Sequence, residues 1–267
     1  MTIRAVVFDW AGTIIDFGSL APMGAFVKLF ANHGIEISIA QARVPMGLPK
    51  LAHIKALGQM PAIADQWQTL HGQSFSDADA ESLLREFEPM SARAALEHSD
   101  FIPGFLETYA WLKSSDIGVA TTTGYTRTIM TPLIALAKDA GFDPTLVVCC
   151  DDVAKSRPDP MGMQRCMEAL GLVDIPQLVV KVDDTEPGLQ EGRNAGCWAV
   201  GVAASGNALG WSLEQWNAAN LETRAQVLAE ATECLIKAGA HEVVASVADL
   251  GRALERIAIR MNSGETP

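Results

Sequence analysis

The sequence predicts an α/β fold in which a parallel sheet, covered by helices, carries a helical domain inserted after its first strand. Two observations predict the sheet: short Val-rich runs bounded by turn residues, and helical segments that alternate with those runs. A long stretch of helical periodicity between the first run and the others predicts the insertion. The 267 residues, 49% hydrophobic and 19% charged, provide enough apolar side chains for both parts.

Five Val-rich runs are predicted to be strands. Four segments with helical periodicity, which lie before and between the second to fifth of these runs, are predicted to be helices. The strands are predicted at residues 5–8, 118–121, 146–149, 178–182 and 198–202. The helices are predicted at residues 104–114, 127–140, 160–170 and 188–195. Residues 210–259 have mainly helical patterns.

Residues 18–100 interrupt this alternation, because their apolar residues recur at helical spacing throughout. The two clearest stripes consist of Phe26, Leu29 and Phe30, and of Leu83, Leu84, Phe87 and Met90. Ser38 is a predicted helix N-cap, and the Pro-Met-Gly segment at 45–47 is a predicted break between helices. We therefore predict a small helical domain at residues 18–100, inserted into a core of residues 1–17 and 101–267.

Composition and charge narrow the class of function. The net charge of −12 argues against a nucleic-acid partner, whose phosphates are bound by Lys and Arg, but it allows a small anionic substrate. The sequence has no run of about 18 apolar residues, so no membrane span is expected. The first residues are typical of a strand rather than a signal peptide. Five cysteines without a CxxC pair indicate reduced, buried thiols. We expect a cytoplasmic protein.

Polar residues follow four of the predicted strands, at the edge where open parallel sheets bind ligands. Asp9 follows the first strand, residues 122–126 (TTGYT) the second, a basic segment at 155–157 (KSR) the third, and two aspartates at 183–184 the fourth. Each of these four segments also has a purely structural explanation. Asp9 could form a turn, residues 122–126 could cap a helix, the basic residues could be solvated at the surface, and the two aspartates could belong to an acidic loop. Their joint occurrence favours a site for phosphoryl chemistry.

The residue types suit that chemistry. Hydroxyls and backbone N–H groups at a helix start bind phosphoryl groups, and the cation of Arg157 can neutralise a phosphoryl group during its transfer. Adjacent Asp183 and Asp184 suit a hard cation such as Mg²⁺, which prefers carboxylate oxygens and water. Asp9 is a candidate nucleophile. Many enzymes with such an Asp have a second Asp two residues later as general acid and base, and here that position is Ala11.

In this order, Asp9, Thr123, Arg157 and Asp184 resemble the active-site residues of the haloacid dehalogenase superfamily. Four stretches are similar to one family within it, phosphonoacetaldehyde hydrolase (phosphonatase): FDWAGT (8–13), PMGLPKLAHIKAL (45–57), TTGYTR (122–127) and EGRNAG (191–196). The combination of FDWAGT with PMGLPK is highly specific. The resemblance implies a Rossmann-like parallel sheet core with an inserted all-helical cap domain, the cap being residues 18–100.

The resemblance also implies an activity: Mg²⁺-dependent hydrolysis of phosphonoacetaldehyde to acetaldehyde and phosphate, in the degradation of 2-aminoethylphosphonate. Asp9 matches the nucleophile that becomes an aspartyl phosphate, Lys50 the lysine that forms a Schiff base, and His53 a proton shuttle. The family's metal contacts fall on Asp9, the Ala11 carbonyl and Asp184. Its substrate-binding positions fall on Met46, Gly47, Thr123, Gly124, Tyr125 and Arg157. The resemblance further implies a homodimer that associates through the cap.

An alanine at position 11 fits the cleavage of a carbon–phosphorus bond. A protonated imine accepts the electrons of that bond and becomes an enamine, so no oxygen leaving group needs a proton from residue 11. The lysine must be neutral to form the imine, so its pKa must be lowered from about 10.4 by burial or a nearby cation. The alternatives are another hydrolase of the superfamily, a phosphatase or a dehalogenase. A phosphatase would need an acid at position 11, and a dehalogenase would not need Asp184 with a metal.

The chain departs from the family at two positions near the metal. Asp183 stands where the family usually has Gly, and Gly188 stands where it usually has a further Asp. Asp183 or Glu186 is therefore a hypothetical replacement for the carboxylate that is absent at 188.

Overall fold

The computed structural model describes residues 2–267, and within these residues it has a six-stranded parallel sheet. The strands are β1 (Ala5–Phe8), β2 (Gly118–Thr122), β3 (Val147–Val148), β4 (Val179–Asp183), β5 (Trp198–Val202) and β6 (Glu242–Val244). They lie in the order β3-β2-β1-β4-β5-β6, and each neighbouring pair is parallel. The sheet confirms the predicted α/β fold, and Asp9 directly follows an inner strand at the ligand-binding edge.

Two strands differ from the prediction, and both lie at the edges of the sheet. β6 falls within residues predicted to be mainly helical, because its three residues are too few to interrupt the helical patterns on either side. β3 has two residues where the sequence predicts four, and it pairs only with the end of β2. An edge strand pairs with only one neighbour, so pairing constrains its length and its sequence less than those of an inner strand.

The segment between β1 and β2 is helical, as the sequence predicts. Its helices are α1 (Ala21–Asn32), α2 (Ile39–Arg43), α3 (Lys50–Gly58), α4 (Pro61–His71) and α5 (Asp77–Glu97). Ser38 caps α2 through reciprocal hydrogen bonds with Gln41, and residues 45–47 lie in the break between α2 and α3. These helices have a hydrophobic cluster of their own, which includes Phe26 and Phe87. The separate cluster supports a cap domain at 18–100, whose boundaries stay a prediction.

The remaining helices cover both faces of the sheet. They are α6 (Phe105–Ser114), α7 (Arg127–Asp139), α8 (Met161–Leu170), α9 (Glu186–Asn194), α10 (Leu213–Ala218), α11 (Leu221–Lys237) and α12 (Leu250–Asn262). Side chains of β1 alternate between two hydrophobic clusters, with Val6 and Phe8 in one and Ala5 and Val7 in the other. β1 is thus buried on both faces, which explains its apolar sequence. None of the helices in residues 2–267 has both the length and the apolar character that a membrane span requires.

Contacts near the ligand-binding edge hold the cap against the core. Arg43 of α2 donates hydrogen bonds to Asn207 Oδ1 (3.2 Å) and to the carbonyl of Gly210 (3.1 Å), which both belong to the core. Gly47, between α2 and α3, approaches Thr185 so closely that a Cβ there would lie 2.4 Å from Thr185 Oγ1. Its φ of 86° also favours glycine. The segment before α3 therefore packs directly against the loop that follows β4.

Candidate active site

A small cavity lies where the carboxyl ends of β1 and β2 meet the start of α3, with a volume of about 30 Å³. The predicted site residues that line it are Asp9, Ala11, Met46, Gly47, Lys50, Thr123, Gly124, Tyr125 and Arg157. Ser19, Pro22 and Thr185, which are not among the predicted residues, complete the lining. The fold thus brings core and cap residues from distant parts of the chain to one cavity.

Two predicted site residues lie beside this cavity rather than in its wall. Asp184 is next to Asp9, because carboxylate oxygens of Asp9, Asp183 and Asp184 lie within 4.8 Å of one another. His53 is fully buried in the cap, where its ring stacks on Phe26 with the two ring centroids 3.8 Å apart. Asp184 therefore belongs to a carboxylate cluster, and His53 belongs to the interior of the cap.

Asp9 is buried at the end of β1 and forms an ion pair with Arg157, whose Nη1 lies 2.8 Å from Asp9 Oδ1. Burial and the charge of Asp183 raise the pKa of Asp9 to about 6, against the opposing effect of Arg157. Arg157 is buried as well. A phosphoryl group at Asp9 would therefore meet a fixed positive charge in a site that excludes most water.

A buried polar network holds Arg157, and the sequence pattern did not predict it. Arg157 Nε donates to Glu191 Oε2 at 3.1 Å, and its Nη2 donates to the carbonyl of Thr122 at 2.7 Å. Lys181 of β4 has its Nζ 2.7 Å from Thr122 Oγ1 and 3.6 Å from Glu191 Oε2. One signal was present in the sequence: a lysine inside a Val-rich strand buried on both faces requires charged partners.

The carboxylates of Asp9, Asp183 and Asp184 fit a divalent cation. They are buried, they are hard oxygen donors, and they are close enough to share one ion. Burial, together with the charges of Asp9 and Asp183, holds the pKa of Asp184 well above its usual range, because the three groups repel one another. Thr13 Oγ1 (3.2 Å) and the Asn207 backbone N (2.7 Å) fix the side chain of Asp184.

Lys50 begins α3, and its side chain is buried. Its Nζ lies over two aromatic rings, 4.8 Å from the centroid of Tyr125 and 5.8 Å from that of Phe26. Among residues 2–267, ion pairs are made by four other lysines and none by Lys50. Burial lowers the pKa of Lys50 to about 8, while Cys150 and Asp9 oppose that shift. Near neutral pH more of its amine is therefore uncharged than at a surface lysine, as a nucleophilic amine requires.

His53 is held as a neutral ring on α3, one turn after Lys50. Its Nε2 lies 2.9 Å from the carbonyl oxygen of Ala42, so we assign the proton to that nitrogen. Its Nδ1 is buried and has no hydrogen-bond partner among the described residues. Burial, followed by the charge of Lys50, lowers the pKa of His53 to about 2. The lone pair of Nδ1 is therefore free to accept a hydrogen bond from a neighbouring donor.

The loop between β2 and α7 presents polar groups to the cavity. Thr123 Oγ1 accepts a hydrogen bond from the backbone N of Tyr125 at 3.1 Å, which leaves its O–H available as a donor. Gly124 lines the cavity from the core, and Gly47 lines it from the cap. This loop start, directly before a helix, is suited to an anionic group.

The cysteines add no evident nucleophile. All five are free; Cys149, Cys166 and Cys197 are buried as predicted, whereas Cys150 is only partly buried and the prediction is wrong for Cys234, which is exposed. Burial raises the pKa of Cys149 to about 12 and that of Cys150 to about 11. Both therefore remain protonated thiols near neutral pH, in agreement with a packing role.

Comparisons with known sequences identify the relatives of this chain. Residues 3–196 match the family model described as haloacid dehalogenase-like hydrolase. A phosphonoacetaldehyde hydrolase from Paraburkholderia phytofirmans is 43% identical over 265 residues, which cover 99% of each chain. The protein of the same name from Hahella chejuensis is 42% identical over 266 residues, which cover 99% of this chain and 90% of that relative.

Solved structures with the same fold include a relative from the same family. The phosphonoacetaldehyde hydrolase-like protein from Oleispira antarctica is 38% identical and superposes with a TM-score of 0.97, over 100% of this chain and 96% of that one. The β-phosphoglucomutase from Clostridium difficile, 18% identical with a TM-score of 0.68 over 97% of this chain and 99% of that one, shares the fold. The chain is therefore a haloacid dehalogenase-like hydrolase and belongs to the phosphonoacetaldehyde hydrolase family.

Proposed function

We propose that this enzyme hydrolyses phosphonoacetaldehyde to acetaldehyde and phosphate. One observation carries the proposal: a buried lysine with a lowered pKa, Lys50, lines the same cavity as a buried aspartate, Asp9. The first group suits an aldehyde and the second suits a phosphoryl group, and phosphonoacetaldehyde has both. The names of the relatives support the same substrate.

The reaction begins at the aldehyde. Neutral Lys50 adds through Nζ to the carbonyl carbon, and loss of water leaves a protonated imine. This cation lies next to the carbon that bears phosphorus, so it can accept the electron pair of the carbon–phosphorus bond. The aromatic rings of Tyr125 and Phe26 beside Nζ accommodate both the neutral amine and the imine cation.

Phosphoryl transfer follows. An oxygen of Asp9 attacks phosphorus, the carbon–phosphorus bond breaks, and its electrons convert the imine on Lys50 into an enamine. Arg157 stabilises the negative charge that the phosphoryl oxygens carry. Asp9, Asp184 and the Ala11 carbonyl would hold Mg²⁺, which would supply further positive charge to the phosphoryl group.

Two hydrolyses complete the cycle. Water attacks the phosphorus of the aspartyl phosphate, which releases phosphate and restores Asp9. The enamine takes a proton on the carbon that carried phosphorus, and water then cleaves the resulting imine to acetaldehyde and free Lys50. Because the leaving group is carbon, Ala11 needs no acidic side chain. A cytoplasmic location, a homodimer through the cap and a role in 2-aminoethylphosphonate degradation belong to the same proposal.

A product assay tests this function against the alternatives. With Mg²⁺ and phosphonoacetaldehyde, we expect phosphate and acetaldehyde to form in equal amounts. Parallel assays with a phosphate monoester and a haloacid represent the phosphatase and the dehalogenase. Faster turnover of either, without acetaldehyde from phosphonoacetaldehyde, would exclude the proposed substrate.

The lowered pKa of Lys50 predicts how its reactivity depends on pH. Only the neutral amine adds to an aldehyde, so with a pKa of about 8 the reactive fraction rises up to that pH and then becomes constant. An unperturbed lysine would continue to gain reactivity up to about pH 10.4. We expect the initial rate at which acetaldehyde and cyanoborohydride alkylate Lys50, measured by peptide mass, to level off near pH 8. A rate that still rises steeply at pH 10 would contradict this pKa.

We also propose that His53 carries protons for Lys50 through its free Nδ1. Glutamine at position 53 keeps a donor for the Ala42 carbonyl and removes Nδ1, so His53→Gln is expected to lower kcat roughly 100-fold or more. The matched variant His53→Asn keeps a hydrogen-bonding atom near the Nδ1 position but cannot take up a proton, so it is expected to lose a similar share of the activity. If His53 served only to pack against Phe26, His53→Gln would have a lower melting temperature and a nearly unchanged kcat.

A further inference from the structure

Arg157 is shared among three buried carboxylates. Its Nη1 lies 2.8 Å from Asp9 Oδ1, its Nε 3.1 Å from Glu191 Oε2 and its Nη2 3.5 Å from Asp183 Oδ2. Of these carboxylates, Asp9 lines the cavity together with Arg157, whereas the other two lie outside its wall. Glu191 and Asp183 therefore compete with Asp9, and with a phosphoryl group bound there, for the charge of one guanidinium.

Lys181 contacts both competing carboxylates. Its Nζ lies 3.1 Å from Asp183 Oδ2 and 3.6 Å from Glu191 Oε2, the same two oxygens that Arg157 approaches. Lys181 is fully buried and lies outside the wall of the cavity, so it has no direct contact with a ligand bound there. Without Lys181, Arg157 alone would face the three carboxylates of Asp9, Asp183 and Glu191. With Lys181, two cations share them.

The hydroxyl of Thr122 fixes the two cations relative to each other. Thr122 Oγ1 accepts hydrogen bonds from Arg157 Nη2 at 2.8 Å and from Lys181 Nζ at 2.7 Å. It also donates a hydrogen bond to Glu191 Oε2 at 2.7 Å. A hydroxyl has one proton and two lone pairs, so these three bonds use its full capacity. The position of Lys181 beside Arg157 is therefore determined by hydrogen-bond geometry as well as by charge.

Two glycines leave room for this arrangement. A Cβ on Gly162 of α8 would lie 2.4 Å from Glu191 Oε1, and a Cβ on Gly192 of α9 would lie 2.4 Å from Lys181 Cβ. Both helices therefore approach the charged side chains at positions that have no side chain of their own. Because unpaired buried charges are costly, this close packing favours a state in which Lys181 and Glu191 stay paired.

We propose that Lys181 is a positioning residue for phosphoryl transfer. By neutralising Glu191 and Asp183, it leaves the guanidinium of Arg157 directed at Asp9 and at the phosphoryl group. This inference deepens the proposed function and rests on the role which that function gives to Arg157, but not on the identity of the aldehyde. A lysine that served only to pair buried charges in the core would contribute to stability without any effect on Arg157.

Lys181→Met removes the charge and keeps the approximate length of the side chain. Arg157 is then expected to be drawn towards Glu191 and Asp183, so kcat for phosphonoacetaldehyde falls roughly 10- to 100-fold, as for other groups that orient a residue of a site. Binding of inorganic phosphate in the presence of Mg²⁺, measured by calorimetry, is expected to weaken by a similar factor. The rate at which acetaldehyde and cyanoborohydride alkylate Lys50 is expected to stay unchanged, because Lys50 belongs to the cap and not to this network.

The double variant Lys181→Met/Glu191→Gln separates positioning from a structural role. Glutamine keeps an acceptor for Arg157 Nε, and the double variant loses one competing negative charge together with the cation. We therefore expect it to bind phosphate about tenfold more tightly than Lys181→Met, whereas two merely structural substitutions would add their losses. A double variant that binds phosphate no better than Lys181→Met would overturn the proposal, as would wild-type phosphate affinity in Lys181→Met.

Glu191→Gln alone decides the question if Lys181→Met does not fold. It removes a competitor for Arg157 and keeps Lys181, so it is expected to bind phosphate at least as tightly as the wild type, and weaker binding would overturn the proposal. A wild type that binds no phosphate would also overturn it. If the variants bind phosphate in the expected order but the wild type forms no acetaldehyde from phosphonoacetaldehyde, the proposed function fails and this inference stands.

Discussion

Methionine in place of Lys50 is expected to abolish turnover of phosphonoacetaldehyde while making the protein more stable at pH 7. Without an amine there is no imine, so the carbon–phosphorus bond has no electron acceptor, and we expect activity to fall by at least about 10⁴-fold. The residual rate is measured as acetaldehyde released at saturating substrate. Wild-type turnover in Lys50→Met or Lys50→Arg would contradict the mechanism.

The expected gain in stability has a separate origin. The pKa of Lys50 is lowered to about 8 in the fold, so below pH 8 a charged amine is held in a site that disfavours charge. Methionine removes that penalty, which on the scale of one pKa unit per 1.36 kcal/mol is on the order of 3 kcal/mol. The gain should decrease as the pH rises above 8 and vanish above about pH 10.4, where the unfolded chain is also neutral.

Urea unfolding of Lys50→Met and wild type at pH 7 and pH 10 measures this effect. Lys55→Met is the matched control, since Lys55 lies on the same helix, is partly exposed and pairs with Asp77. We expect the control to keep wild-type turnover and to show no comparable gain. A Lys50→Met protein that is less stable than wild type at pH 7 would argue against a charge penalty at this position.

Asparagine in place of Asp9 is expected to abolish phosphate release and to leave imine formation intact. Asn has the shape of Asp but cannot accept the phosphoryl group as a stable acyl phosphate, so we expect phosphate release to fall by at least about 10⁴-fold. Lys50 begins helix α3 of the cap, outside the core segment that carries Asp9, so it should still condense with the aldehyde. Asp9→Ala is expected to lose phosphate release as well.

The two halves of the reaction can be separated in this variant. Phosphate is measured by colorimetric assay, and the imine is trapped by borohydride and located by peptide mass. Asp9→Asn that releases phosphate near the wild-type rate would show that another group attacks phosphorus. Asp9→Asn that forms no trapped imine would show that the two steps are coupled.

The sheet and its polar strand ends were predictable from the sequence, because buried parallel strands leave a Val-rich pattern and their carboxyl ends share one edge. Asp9, Thr123 and Arg157 do line one cavity, beside Asp184. β6 was not predictable, because three residues at an edge carry too little pattern. The positions of Lys50 and His53 in the cap depended on the resemblance of PMGLPK, since an isolated Lys or His on a helix is usually structural.

The network below the site shows why further residues could not be found from the sequence. Lys181 and Glu191 meet only because β4 and α9 pack face to face, and no local pattern encodes which buried charge pairs with which. The same holds for Asp183: the sequence left Asp183 and Glu186 as equal candidates, and only the folded structure shows that Asp183 lies in the buried aspartate cluster while Glu186 is exposed. Partner identity is a property of tertiary packing rather than of spacing along the chain.

Borohydride trapping during turnover tests the central claim, that Lys50 forms an imine with the aldehyde, most directly. The enzyme is mixed with phosphonoacetaldehyde and Mg²⁺, reduced, digested and mapped by mass spectrometry. We predict an ethyl group on Lys50 in the wild type, because the carbon–phosphorus bond breaks before reduction, and a phosphonoethyl group on Lys50 in Asp9→Asn. An unmodified Lys50 in both proteins, together with undiminished turnover in Lys50→Arg, would contradict the account.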